Sequence, residues 1–170
     1  MTKMAGVRRA IVSTPSDNEI HIVREFDASP ASVFRAWTTP ELVARWWHAD
    51  RGSVTSIDID LRVGGSWRYV MVANGGFEVA FHGEFLEIVP GERLVTTEIY
   101  EGAPNDEAVT TTEFVDVGGR TRVEILVRHA SAEARDAHLQ SGMEDGLQRA
   151  LELLEDLTNG ASADARDHEH

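Results

Sequence analysis

The segment from Ala132 to Leu157 constrains this chain more than any other. Leu139, Met143, Leu147, Ala150, Leu151 and Leu154 recur at intervals of three and four residues, which places them on one face of a helix with 3.6 residues per turn. Glu144, Asp145, Gln148, Arg149, Glu152 and Glu155 fall between them and are expected to face water. The chain before this segment reads mostly as β-strands. A strand-rich stretch followed by one long amphipathic helix predicts an α+β domain whose sheet buries that helix.

The strands announce themselves by alternation and by turn residues. Glu19–Phe26 is the first full strand, although Ile20, Ile22 and Arg24 share a face, so its inner side is not clean. Ser29 and Pro30 then suit the N-cap and first position of a short helix that buries Val33, Phe34 and Trp37. Pro40 opens a second, carrying Leu42, Val43, Trp46 and Trp47. Further strands are predicted over residues 54–60, 66–72, 77–89, 93–100, 108–117 and 121–129. Gly64-Gly65, Asn74-Gly75-Gly76, Pro90-Gly91 and Gly118-Gly119 mark turns between them. Gly83, inside a strand, signals a bulge or a close approach. Ser131 is the expected N-cap of the long helix, and Asn159-Gly160 its stop. The domain is assigned to residues 19–158. Residues 1–18 form an arm or an extra edge strand through Ala10–Val12, and 159–170 a flexible tail.

Composition excludes several classes of function. The chain has 170 residues, 42% of them hydrophobic, so it can build a real core. It has no cysteine, which removes disulfides, thiolate metal sites and a cysteine nucleophile. A net charge of −13 disfavours nucleic acid and anionic membranes as partners. No apolar run has the length of a membrane span, and a soluble cytoplasmic protein is the expectation. No His-x-x-x-His pair occurs in a structured stretch. His168 and His170 have a ligand-like spacing but sit in the tail, so no metal and no cofactor is assigned.

The order of elements resembles the helix-grip fold of the SRPBCC superfamily, which includes START domains, plant pollen allergens and polyketide cyclases. Within it the chain is similar to the branch related to the C-terminal domain of the activator of the heat-shock-protein-90 ATPase. The resemblance is carried by Phe26-Asp27-Ala28-Ser29-Pro30, Val33-Phe34-Arg35-Ala36-Trp37-Thr38, Pro40-Glu41, Trp46-Trp47 and Leu61-Arg62-Val63-Gly64-Gly65-Ser66-Trp67. His82-Gly83-Glu84-Phe85-Leu86-Glu87-Ile88-Val89-Pro90, Arg93-Leu94-Val95 and Ser141-Gly142-Met143-Glu144-Asp145-Gly146 complete it. It implies a curved antiparallel sheet of six or seven strands around the long helix, with an apolar cavity between them. Many relatives place Trp after the helix glycine, where this chain has Met143.

On that frame Trp37, Trp46, Trp47, Trp67, Tyr69, Phe81, Tyr100, Met143 and Leu147 are the candidate lining of a cavity for a hydrophobic small molecule. Against this stands simple core filling, the commoner use of aromatic residues. Adjacent helical residues point about 100° apart. One of Trp46 and Trp47 is therefore expected inside and the other over an edge. Phe81 is expected inside and His82, its neighbour, outside. His48 follows the tryptophan pair in a loop. Glu84, Glu98 and Glu113 lie on strands, and one of them pointing inward would be a candidate acid or base. No catalytic residue is assigned. A binding domain is the first reading. A cavity enzyme of cyclase, dehydratase or hydrolase type, and a co-chaperone-like activator of the heat-shock-protein-90 ATPase, are the alternatives. A homodimer through an exposed strand edge or an outward tryptophan stays open.

Overall fold

The computed structural model describes residues 9–168, with side chains over 9–159. Residues 1–8 of the expected arm, and His170 of the tail pair, lie outside the described residues. Eight strands make one antiparallel sheet: β1 (Ile11–Ser13), β2 (Glu19–Phe26), β3 (Gly52–Ile59), β4 (Ser66–Ala73), β5 (Glu78–Val89), β6 (Arg93–Tyr100), β7 (Glu107–Val117) and β8 (Arg120–His129). Their spatial order is β1-β2-β8-β7-β6-β5-β4-β3. Consecutive strands pair as hairpins from β3 through β8, and β8 then closes on β2. The extra edge strand exists as β1, which raises the count above the expected six or seven.

Helices α1 (Pro30–Thr38) and α2 (Pro40–Trp46) connect β2 to β3. Ser29 caps α1 as predicted, its hydroxyl accepting from the Ser32 amide at 3.2 Å. Helices α3 (Ala132–Gln140) and α4 (Met143–His168) follow the sheet. The Ser131 hydroxyl caps α3, accepting from the Ala134 amide at 3.0 Å.

The single helix expected from Ala132 to Leu157 is thus two. Gly142 has φ +83°, a left-handed conformation that ends α3 and that glycine adopts without steric cost. The apolar periodicity runs across this break without registering it. At the other end, α4 continues through Asn159-Gly160 to His168. A stop signal is a weak preference, and here helical propagation prevails over it.

The core lies between the concave side of the sheet and the helices. Ile20, Phe26, Val33, Val43, Val123, Leu151 and Leu154 are among its most deeply buried members. Two residues expected in water are inside. Gln148 is buried, donating to the Ala10 carbonyl at 2.8 Å and accepting from the Ala10 amide at 2.9 Å. Glu155 is buried against Arg24, which leaves β2 on the same face as Ile20 and Ile22. Arg24 Nη1 lies 2.7 Å from Glu155 Oε1 and donates also to the Glu25 carbonyl. A buried guanidinium so satisfied explains how a charge can share a strand face with isoleucines. Among the described residues, no helix is long and apolar enough to cross a membrane.

Candidate functional site

The aromatic residues fall into two groups rather than one. Trp46 is buried and donates from Nε1 to the Ala36 carbonyl at 2.9 Å. Its ring lies 5.1 Å from Trp37, which meets Phe114 at 5.7 Å. Phe114 in turn meets Phe34 at 5.3 Å. This group welds α1 and α2 to β7. Trp37 and Trp46 thus make their ring contacts with one another and with Phe114.

The second group lies on the concave side of β4, β5 and β6. Trp67 and Tyr69 are 4.8 Å apart. Trp47, just beyond α2, sits edge-on to Tyr69 at 5.5 Å and to Phe81 at 5.9 Å. Phe81 continues to Tyr100 at 5.1 Å. Register explains the alignment, since Tyr69 pairs with Phe81 and Phe81 with Tyr100. Both Trp46 and Trp47 therefore turn inward, one toward α1 and the other toward the sheet. No tryptophan of the pair is left to cover an edge: Trp47 keeps helical φ and ψ of −62° and −31° and its amide donates to the Val43 carbonyl, so the turn of about 100° between neighbours sends one ring to α1 and the other to the sheet. Trp47, Tyr69 and Phe81 keep part of their surface, and Tyr100 is 42% exposed.

Gly83 is the close-approach point that its place in a strand suggested. It pairs with Trp67, and a β-carbon there would collide with the Thr97 carbonyl oxygen and the Trp67 indole nitrogen. The bare backbone lets the indole lie across β5 and donate to the Thr97 carbonyl at 3.2 Å. Thr97 Oγ1 meanwhile accepts from the Glu84 amide at 2.9 Å. The ordinary β5–β6 ladder is interrupted here and resumes beyond it with Phe85 opposite Thr96.

Of the three strand carboxylates, Glu98 is the inward one. It lies two residues from Tyr100 on β6 and pairs with Ala108 on β7. Burial raises its carboxyl from 4.5 to about 7. Burial, and then the Glu98 charge, push the Tyr69 hydroxyl up as well. The Glu98 carboxyl makes no hydrogen bond or ion pair with another described residue. Glu84 and Glu113 are exposed, and Glu113 pairs with Arg93 at 3.2 Å. Glu84 and Glu113 sit beside the buried Phe85 and Phe114 and so face out, whereas Glu98 shares the face of the buried Leu94; the sequence left the three equivalent because the inner face of β6 is itself largely polar.

His82 lies on the convex side, as expected from Phe81 facing inward. Its Nδ1 is 2.9 Å from Glu101, which Arg68 grips at 2.8 and 2.9 Å. Arg68 first, then His82, hold the Glu101 carboxyl down to about 2. The concave side instead carries a histidine pair that sequence reading passed over. His129 Nε2 and His138 Nδ1 are 3.0 Å apart, joining β8 to α3. Burial lowers both, His138 to about 4. The nine-residue separation across a loop gives no helical or strand spacing that would flag them.

Met143 and Leu147 are partly buried against the core. The start of α4 is held beside the loop that follows Trp47. Arg51 donates to the Gly142 carbonyl at 3.0 Å, and its guanidinium carbon would lie 3.0 Å from a β-carbon at Gly146. The spacing of Gly142 and Gly146 thus keeps room for Arg51. Arg149 pairs with Asp50. Ala49 and Asp50 have φ of 51° and 60°, uncommon values for residues with a side chain. The His48 ring caps this turn, its Nδ1 accepting from the Asp50 amide at 2.9 Å.

A separate open depression of about 330 Å³ is walled by Arg24, Arg149, Glu152, Glu155 and Asp156. Its charged walls are unlike the apolar lining expected of the aromatic site. Among the described residues, no group of three or more acidic or histidine side chains could hold a metal ion.

An open antiparallel sheet curled on a C-terminal helix, with two short helices after its first full strand, defines a helix-grip domain of the SRPBCC type. The family model described as activator of Hsp90 ATPase homolog 1-like protein matches residues 27–159, and the chain belongs to that family. A structure from Rhodobacter sphaeroides is similar at 26% identity and a TM-score of 0.83, covering 89% of this chain and 99% of that one. One from Nitrosomonas europaea has 25% identity and a TM-score of 0.79, with 88% and 99% covered. An AHSA1-like protein from Aeromonas hydrophila has 25% identity and a TM-score of 0.66, with 82% and 93% covered. No curated protein matches the chain.

Proposed function

We propose that the domain binds a hydrophobic small molecule on the concave face of β4–β6. The observation that supports this is the half-covered aromatic row Trp67, Tyr69, Trp47, Phe81 and Tyr100. Rings of a filled core are covered on all sides, whereas three of these keep surface within the fold and Tyr100 is exposed. An apolar wall with one or two polar groups is the usual make-up of a ligand site. Met143 and Leu147 supply the facing side from α4, and Glu98 supplies the polar group.

The family name points to a chaperone-activating relative, but the features that favour a function in this chain are those of a binding face. The test is titration with the neutral lipophile N-phenyl-1-naphthylamine, followed by its own emission and by tryptophan quenching. Saturable binding that Trp47→Ala and Phe81→Ala each weaken about tenfold is expected, on the order of 1.4 kcal/mol per ring. Absence of saturable binding, or binding indifferent to both changes, would refute the proposal.

A further inference from the structure

The aromatic row and Glu98 together restrict the chemistry of the ligand. Every ring face is electron-rich, and five rings line one side of the sheet. The polar group among them is a carboxyl without a hydrogen-bond partner among the described residues. The charged side chains nearby in the fold are otherwise engaged. Arg68 is on the convex side with Glu101, Arg51 donates to the Gly142 carbonyl, and His129, which follows Glu98 and Ala108 across the sheet, is bonded to His138. Lys3 is the single lysine of the chain and lies outside the described residues.

We infer that the site takes an amphiphilic amine, whose protonated nitrogen donates to Glu98 while its apolar body lies along Trp47, Tyr69 and Phe81. This inference rests on the aromatic-site reading above. Two independent features favour a cation here. Ring quadrupoles attract positive charge, and the unpartnered carboxyl gains a donor. A carboxylate ligand would meet both as repulsion. A neutral alcohol would satisfy Glu98 but gain little from the rings. A small neighbour leaves room on one side of Glu98, where Ala108 pairs with it, while on the other the Trp67 indole fills the space over Gly83. The net charge of −13 also draws organic cations toward the protein.

Proton linkage follows from the same contact. In the unliganded protein burial holds the Glu98 carboxyl up to about 7; Tyr69 is the titratable neighbour that feels its charge, and His129, bonded to His138, faces the same side one strand beyond Ala108. An ammonium at hydrogen-bond distance lowers it, so binding releases a proton near neutrality. Amine affinity should then fall as pH drops below about 7, while alcohol affinity should not.

The experiment compares octylammonium, octanol and octanoate by calorimetry on the intact chain and on Glu98→Gln. Octylammonium is expected to bind at least tenfold tighter than octanol, and octanoate weakest. Glu98→Gln should erase the difference between amine and alcohol while retaining the alcohol, which also shows that the variant is folded. Equal binding of amine and alcohol to the parent, or an amine preference that survives in Glu98→Gln, overturns the inference and leaves the apolar site standing. Failure of all three probes to bind overturns both.

Discussion

Replacing Glu98 by Gln tests the electrostatics of the concave face without any ligand. The two side chains have nearly the same shape, and only Glu ionises. In the folded chain the carboxyl sits at about 7 instead of 4.5, so the native state holds its proton where the unfolded state has lost it. The native state then binds more protons between those two values, and stability falls as pH rises through that window. The favourable contribution is fully present below about 4.5 and gone above about 7. At about 1.36 kcal/mol per tenfold change in proton affinity, the whole effect is roughly 3 kcal/mol. Residual solvent contact of this partly buried residue reduces it to about 2 kcal/mol. Glu98→Gln never carries the charge, so its stability relative to the parent should rise by about 2 kcal/mol between about pH 5 and pH 8. In a chain of this length that is a gain of roughly 4–8 °C in Tm. Paired thermal melts, supported by urea titrations at both pH values, read it directly. A difference that does not change with pH would show that the carboxyl is solvated. A Gln variant that loses stability at high pH would show a carboxylate held by a cation.

Gly83→Ala should cost at least about 2 kcal/mol, because the new methyl meets backbone rather than a movable side chain; a red shift of Trp67 emission should accompany it, and a neutral outcome in urea unfolding would contradict the packing described. Glu155→Ala leaves the Arg24 guanidinium buried without its carboxylate, at a cost of about 3–5 kcal/mol; a loss below about 1 kcal/mol would mean water reaches Arg24. His138 is lowered to about 4 by burial, so its contribution is present above 6.5 and lost as pH falls through 4. His138→Asn keeps an acceptor for His129 and should abolish acid destabilisation on the order of 1–2 kcal/mol in melts between about pH 7 and pH 4; parallel pH profiles of parent and variant would count against it.

The architecture was legible wherever one local rule decided it. Glu19–Phe26 and Arg93–Tyr100 have the bounds that alternation and turns predicted, and Ser29 and Ser131 both cap helices. The break at Gly142 was not legible, because Leu139, Met143 and Leu147 keep helical spacing across a residue whose φ, and not its hydropathy, ends the helix. Gln148 and Glu155 read as surface residues because their partners, Ala10 and Arg24, lie more than a hundred residues away in the chain. The candidate site was half visible. Phe81 inside and His82 outside followed from alternation, but the division of the tryptophans between two groups depends on α2 lying between α1 on one side and the sheet on the other, which only three-dimensional packing decides.

The bonds between Gln148 and Ala10 fasten the border of the sheet to its last helix. The amide of a helical side chain takes the place of a neighbouring strand, satisfying both backbone groups of Ala10 just ahead of β1. The short β1 covers the β2 edge with only three paired residues, from Ile11 to Ser13, so a second anchor on the chain just before it matters. Gln148 ties that border strand to α4 and thereby couples protection of the sheet edge, which could otherwise pair with another chain, to the seating of the last helix. Gln148→Ala should raise amide exchange in β1 before it alters the sheet centre, as hydrogen-exchange mass spectrometry can measure.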